Sequence, residues 1–250
     1  MTISALQPVP SAPYLAAVER IEEMARLEEQ ARKRKSLLIF GPESVGKTRL
    51  LQRFVQTQSL TLYVGSLPTP RDLMLSLIEQ LRALRLRGIA LPANPKELST
   101  TSLKGIVDKA LDQQPFLIVL DHLSGPSSVV TRMIKSINYY GRTPVFFAAR
   151  TPHMEDIGAL LPICANRSER LEVKNFQPQI ALEFAVREAE RISLWASNLE
   201  SALDFFVDHS EGNPGSILRM MKMAQLPQYR TGDQIKAHVL YLDYRMGRRS

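Results

Sequence analysis

Apolar residues fall along this chain in two rhythms. Leu37–Phe40, Leu60–Val64, Phe116–Leu120 and Val145–Ala149 are almost continuously apolar. Runs this short and this uniform predict strands buried on both faces. Leu171–Val173 predicts a shorter fifth strand. Between the runs the apolar positions recur at helical spacing. Leu15, Val18, Ile21, Met24 and Ala25 share one face of a helix expected from Tyr14 to Arg32, and Leu50, Leu51, Phe54 and Val55 share one face of a helix opening near Lys47. Thr69-Pro70-Arg71-Asp72 supplies an N-cap, a first-turn proline and a capping acid for a helix running to about Arg87. Further helices are expected over 101–112, 128–139 and 155–161. Buried strands alternating with helices predict an α/β fold: a five-stranded parallel sheet with helices on both faces.

From about Pro178 the strand rhythm stops. Helices are expected over 178–191, 198–210, 214–225 and 232–246, the last opened by a capping box at Thr231-Gly232-Asp233-Gln234. The resulting division is an N-terminal arm (1–13, with Pro8, Pro10 and Pro13), an α/β domain (14–176), a small all-helical lid (177–226) and a basic C-terminal helix or tail (227–250).

In a parallel sheet, ligands bind beyond the carboxyl ends of the strands. The residues there carry chemistry. After Phe40 comes Gly41-Pro42-Glu43-Ser44-Val45-Gly46-Lys47-Thr48, which is G-x-x-x-x-G-K-[ST] between a strand and a helix. Glycine lets such a loop wrap closely round phosphate oxygens, so that successive N–H groups point inward, and the helix N-terminus adds partial positive charge. The expected nucleotide contacts run from Gly41 through Arg49. Lys47 is expected to reach the β- and γ-phosphates, and Thr48 to ligate Mg²⁺. Asp121 ends the third apolar run and suits the second metal-binding position beside Thr48. Arg150 ends the fourth, as a γ-phosphate contact or an ordinary surface arginine. Arg167 and Arg170 precede the fifth strand, as an arginine finger offered to a neighbouring subunit or a solvated basic pair.

His122 complicates catalysis. The residue after Asp121 is where P-loop ATPases of this sheet type commonly carry an acid that orients water. An imidazole can accept a proton, but with a different geometry. Glu43 and Asp156 are alternative acids that no spacing singles out. Nucleotide binding is therefore expected, and fast hydrolysis is not.

Charge adds one possibility. The formal net charge is +7, with basic residues grouped at Arg32–Lys35, at Arg82, Arg85 and Arg87, and at Arg245, Arg248 and Arg249. Such a balance suits nonspecific contact with duplex DNA, or simply a basic solvated surface. The lone Cys164 has no partner for a disulfide, no run has membrane-spanning length, and the expected compartment is the cytoplasm.

Together, GPESVGKT, FLIVLD, VFFAAR and EGNPGSI, in this order, resemble the AAA+ and STAND group of P-loop ATPases over roughly Tyr14 to Met223. The resemblance implies a sheet of the ASCE type, with an extra strand between the P-loop strand and the strand bearing Asp121, and ATP with Mg²⁺ as cofactors. It implies that Arg150 acts as a sensor, although Ala148-Ala149-Arg150 stands where Thr-Thr-Arg is frequent. It places Pro214 against adenine, with further base contacts near Pro13–Leu15. The residues after Met223 are too few for the winged-helix domain common in STAND proteins, so the expectation is a minimal ATPase core.

A small-molecule kinase is the rival within the P-loop class. It is disfavoured by the arginine-ended strand and by the absence of an acid in Tyr63-Val64-Gly65-Ser66. The expected function is a slowly hydrolysing switch whose ATP state, as against ADP, controls self-association or recruitment of a protein partner. The alternatives are a DNA-bound assembly factor resembling transposition-regulator ATPases, and a non-catalytic nucleotide-binding scaffold.

Overall fold

The computed structural model describes Tyr14 and residues 17–65, 69–85, 88–139 and 142–247. These form two compact units. One is Glu23–Val173; the other runs from Lys174 onward and includes the described residues before Glu23.

The first unit is a parallel α/β sheet. Its elements are α1 (Ile21–Arg32, entering from the other unit), β1 (Leu37–Phe40), α2 (Lys47–Thr57), β2 (Thr61–Val64), α3 (Pro70–Ala83), α4 (Thr100–Gln113), β3 (Leu117–Leu123), α5 (Ser128–Ile137), β4 (Val145–Ala149), the single turn α6 (Met154–Ile157) and β5 (Arg170–Glu172). The strand order is β2-β3-β4-β1-β5. Strand β4 thus lies between the P-loop strand and β3, as the ASCE type requires. Alternate residues of each strand serve opposite faces. Leu37, Ile39, Val119 and Phe146 pack with Leu27, Leu51 and Phe54. Leu38, Ile118, Leu120 and Phe147 pack with Leu73, Leu77, Leu103 and Ile134. The apolar runs are continuous because both faces are covered. The Thr69 hydroxyl accepts the Asp72 N–H at 3.1 Å, and Pro70 takes the first helical position.

The second unit packs α7 (Pro178–Arg191), α8 (Leu199–Ser210), α9 (Pro214–Met223) and α10 (Ala237–Gly247) around Phe184, Phe206, Ile217 and Met221. Gly212 sits at φ 72°, and a Cβ there would lie 2.2 Å from the Phe176 carbonyl oxygen. No larger residue fits that approach.

Four elements differ from the sequence expectation. The first helix breaks at Glu19–Arg20, where Arg20 takes φ 51°. Tyr14, Ala17 and Val18 join the core of the helical unit, so the described residues before Glu23 belong there and not with the sheet. The last helix begins at Ala237, not 232. Thr231-Gly232-Asp233-Gln234 is instead the turn of a small antiparallel hairpin, β6 (Arg230–Thr231) and β7 (Gln234–Ile235), with Gly232 at φ 57°. Asn198 fixes this hairpin, its amide donating to the Ile235 carbonyl at 2.9 Å and accepting the Ile235 N–H at 2.8 Å. The helix expected over 155–161 is one α-turn followed by 3₁₀ geometry from Gly158 to Cys164. Strand β3 continues two residues past Asp121, with consequences for the site. The arm at 1–13, Leu15, Arg87, Arg248 and Arg249 lie outside the described residues.

Candidate nucleotide site

The loop after β1 is shaped by two close constraints. Gly41 lies against the residue that follows β5: a Cβ there would stand 2.2 Å from the Val173 carbonyl oxygen. Its N–H donates to the Arg150 carbonyl at 3.2 Å, tying the loop to the end of β4. Ser44 (φ 61°) and Gly46 (φ 104°) then turn the chain through left-handed geometry into α2. A Cβ at Gly46 would meet no protein atom within 4 Å, so glycine is required there by the backbone angle and not by crowding. Val45 is buried beneath the loop, whereas Pro42, Glu43 and Ser44 are exposed.

The Lys47 ammonium donates to the carbonyls of Gly41 (2.7 Å) and Pro42 (2.8 Å). Partial burial lowers its pKa, opposed first by the negative charge of Asp121. Arg150, Glu43 and Asp156 also act on it electrostatically. The loop lysine, the end of β3 and the end of β4 thus converge. Arg49 is exposed on the outer side of the first turn of α2.

Asp121 is only 1% exposed. Its carboxylate accepts the Tyr63 hydroxyl on Oδ2 at 2.9 Å and the His122 N–H on Oδ1 at 2.8 Å. A register shift between Leu120 and Leu123 places a β-bulge at Asp121 and His122. His122 takes φ 53°, which turns its ring back towards the P-loop. Its Nε2 lies 3.1 Å from Thr48 Oγ1 and 3.5 Å from Asp121 Oδ2. The imidazole therefore links the two residues expected to hold Mg²⁺. A hydroxyl and a carboxylate are hard oxygen donors of the kind Mg²⁺ takes, usually with water and phosphate oxygens completing its shell. Among the described residues no group of three or more His, Cys, Asp and Glu gathers as a self-sufficient metal site.

Arg150 forms an exposed ion pair with Glu43 at 3.0 Å, so a strand-end cation and a loop acid face one another beside Lys47. Asp156 is engaged elsewhere, accepting both the N–H (2.8 Å) and the hydroxyl (2.7 Å) of Thr151. Arg170 donates to the carbonyls of Cys164 and Ala165 at 3.0 and 3.3 Å, while Arg167 is exposed. Pro214 is in the helical unit, buried at the first position of α9, whose N-cap Asn213 accepts the Ser216 N–H at 3.0 Å. Two of the basic residues behind the polyanion reading hold loops together: Arg34 donates to Pro115 and Arg142 carbonyls, and Arg82 to Pro92.

Sequence reasoning missed Tyr63. Its signal was a hydroxylated aromatic near the carboxyl end of β2, where Tyr63 pairs in register with Val119, two residues before Asp121.

No protein-family pattern and no curated protein matches the chain. Solved structures do. The Orc1 protein of Aeropyrum pernix in complex with DNA aligns with TM-score 0.57 at 14% identity, over 91% of this chain and 65% of that one. A Walker-type ATPase of Pyrococcus abyssi aligns with TM-score 0.54 at 16% identity, over 81% and 66%. A STAND protein with a tetratricopeptide repeat sensor from Pyrococcus horikoshii aligns with TM-score 0.53 at 15% identity, over 90% of this chain and 31% of that one. This chain therefore spans less than two thirds of each. At these identities the likeness is one of fold alone, the α/β fold of P-loop ATPases. No helix among the described residues is long and apolar enough to cross a membrane.

Proposed function

We propose that the chain binds ATP with Mg²⁺ at the carboxyl edge of its sheet and works as a slowly hydrolysing switch. The observation that carries this reading is the convergence of Lys47, Thr48, Asp121 and Arg150 around a P-loop of the required geometry. Lys47 would exchange the Gly41 and Pro42 carbonyls for phosphate oxygens. Thr48 and Asp121 would hold Mg²⁺, whose charge offsets that of the phosphates. Pro214 is proposed as the adenine contact on the strength of the STAND resemblance.

Slow hydrolysis follows from what stands near the γ-phosphate position. His122 is not a carboxylate, Glu43 is paired with Arg150, and Asp156 is held by Thr151. The Arg150–Glu43 pair supplies the switch. An exposed ion pair is worth only about 0–1 kcal/mol. A γ-phosphate that draws Arg150 from Glu43 meets little resistance, whereas ADP offers Arg150 nothing. Differential contact of this kind is what a population shift requires. The readout is self-association or capture of a protein partner.

A second reading is ATP-dependent assembly on duplex DNA. It is favoured by the net charge of +7 and by the likeness to a protein solved with DNA. Contact would be to phosphates, with affinity falling steeply as salt rises.

Light scattering after size exclusion, with no nucleotide, ADP or a non-hydrolysable ATP analogue, each with and without DNA at two salt concentrations, separates these readings. A response to the analogue but not to ADP, without DNA, supports the protein-partnered switch. Assemblies needing both analogue and DNA, and dissolving at high salt, support the second reading. Indifference to nucleotide in every arm refutes both and leaves a nucleotide-binding scaffold.

A further inference from the structure

The helical unit carries two exposed apolar surfaces that the nucleotide site does not use. The first is a groove of about 730 Å³ between α7 and α8, walled by Val186, Trp195, Leu199 and Leu203. Trp195 is 65% exposed and is the only tryptophan of the chain. A tryptophan left in water beside an open apolar groove is the composition of an interface anchor. The groove's charged lining is Glu190, Glu200 and Asp204, all acidic, in a chain whose net charge is +7. The nearby cations are already engaged: Arg187 pairs with Glu183 and lies over the Tyr14 ring, Arg191 pairs with Glu188, and Arg230 donates to the Trp195 and Ala224 carbonyls.

The second surface is on α10. Val239, Leu242 and Met246 are 48%, 62% and 63% exposed. Their spacing of three and four residues makes one stripe along a helix. The stripe spans eight residues, roughly 10 Å over seven rises of about 1.5 Å. Arg245 flanks it and Lys236 precedes it, both exposed, while Asp243 accepts the Tyr229 hydroxyl at 3.0 Å. The Asp243 carboxylate keeps its charge in that bond, so two cations and one carboxylate border the stripe, a net positive edge, against three acids lining the groove.

We infer that the occupant of the groove is α10 of a second copy of this chain, seated head to tail. Each copy then offers one groove and one stripe. Because the two surfaces differ, the contact is heterologous: it gives a ring where the rotation closes and a filament where it does not. Apolar burial supplies affinity, and the opposed charges set register and on-rate. The inference concerns the helical unit alone and does not depend on nucleotide binding.

The test uses the full chain without nucleotide, so its failure is separate from failure of the ATP reading. Sedimentation equilibrium of the wild type should show association that grows with concentration and weakens with salt. The Trp195 emission should shift to the blue over the same concentration range. Leu242→Glu should lower the association constant at least tenfold, and so should Glu200→Lys with Asp204→Lys. Circular dichroism checks that each variant is folded. The deciding sample is an equimolar mixture of the two variants. The groove variant still has an intact α10, and the α10 variant an intact groove, so the mixture should form a 1:1 dimer that grows no further. A wild type that stays monomeric, with concentration-independent emission, would overturn the inference and leave the groove to a different protein. So would two variants that remain monomers when mixed.

Discussion

Replacing Tyr63 with Phe removes one oxygen and tests how Asp121 is held. Asp121 is almost wholly buried, and Oδ2 is satisfied chiefly by the Tyr63 hydroxyl at 2.9 Å. Without it, Oδ2 keeps only the more distant His122 ring at 3.5 Å. A hydrogen bond to a charged group is worth about 1.5–3 kcal/mol, and an orphaned buried acceptor costs most. We expect a loss of about 2 kcal/mol. For a chain of this size that is a fall in melting temperature of roughly 4–8 °C. Far-UV circular dichroism is the assay, since Trp195 reports on the helical unit.

The variant should also change the alkaline limb. Burial, then the bond to Asp121, pushes the Tyr63 hydroxyl up to about 12 from an ordinary value of 10.0. The unfolded chain therefore releases this proton first. The associated stability is present in full below about pH 10 and is lost as pH rises towards 12. Tyr63→Phe should lack that part of the decline. A melting temperature within about 1 °C of wild type at pH 7, with an unchanged alkaline limb, would refute the reasoning.

Other substitutions probe the site from different sides. Gly41→Ala would put a methyl 2.2 Å from the Val173 carbonyl oxygen, just after β5, and should cost roughly 3 kcal/mol or more in denaturant unfolding; a cost under about 1 kcal/mol would mean that the loop is free to move off Val173. His122→Glu should raise ATP turnover several-fold in a phosphate-release assay if the missing acid limits hydrolysis, and a flat rate would assign the water to another group. Arg150→Ala should leave ADP affinity within about twofold, because an exposed ion pair contributes little, while abolishing any change in association that ATP produces and ADP does not; a variant that still distinguishes the two would remove Arg150 from the sensor role.

The sheet was legible because burial on both faces leaves a simple mark. Leu37–Phe40 and Val145–Ala149 are apolar at every position, and runs this short, set between helical patterns, suit strands in a covered sheet. The P-loop was legible because its glycines and lysine sit at fixed spacing. The bulge at Asp121–His122 was not, since it depends on a register shift against β4 and leaves no periodic trace. Tyr63 was hidden for a related reason: its partner lies on a neighbouring strand, 58 residues away. Thr231-Gly232-Asp233-Gln234 misled in the opposite direction. The same residue types that cap a helix also make a hairpin turn, and Asn198, distant in sequence, decides between them. The helix break at Arg20 follows from packing, with Tyr14, Ala17 and Val18 drawn into one core and Leu27 into another.

The central claim is that the loop from Gly41 to Thr48 binds a nucleoside triphosphate through Lys47. Calorimetric titration of ATP with Mg²⁺ into the wild type and into Lys47→Ala tests it most directly. The account predicts saturable one-to-one binding by the wild type and a loss of at least tenfold, or about 1.4 kcal/mol, in the variant. Equal affinity in the two proteins, or no binding by the wild type, would contradict it.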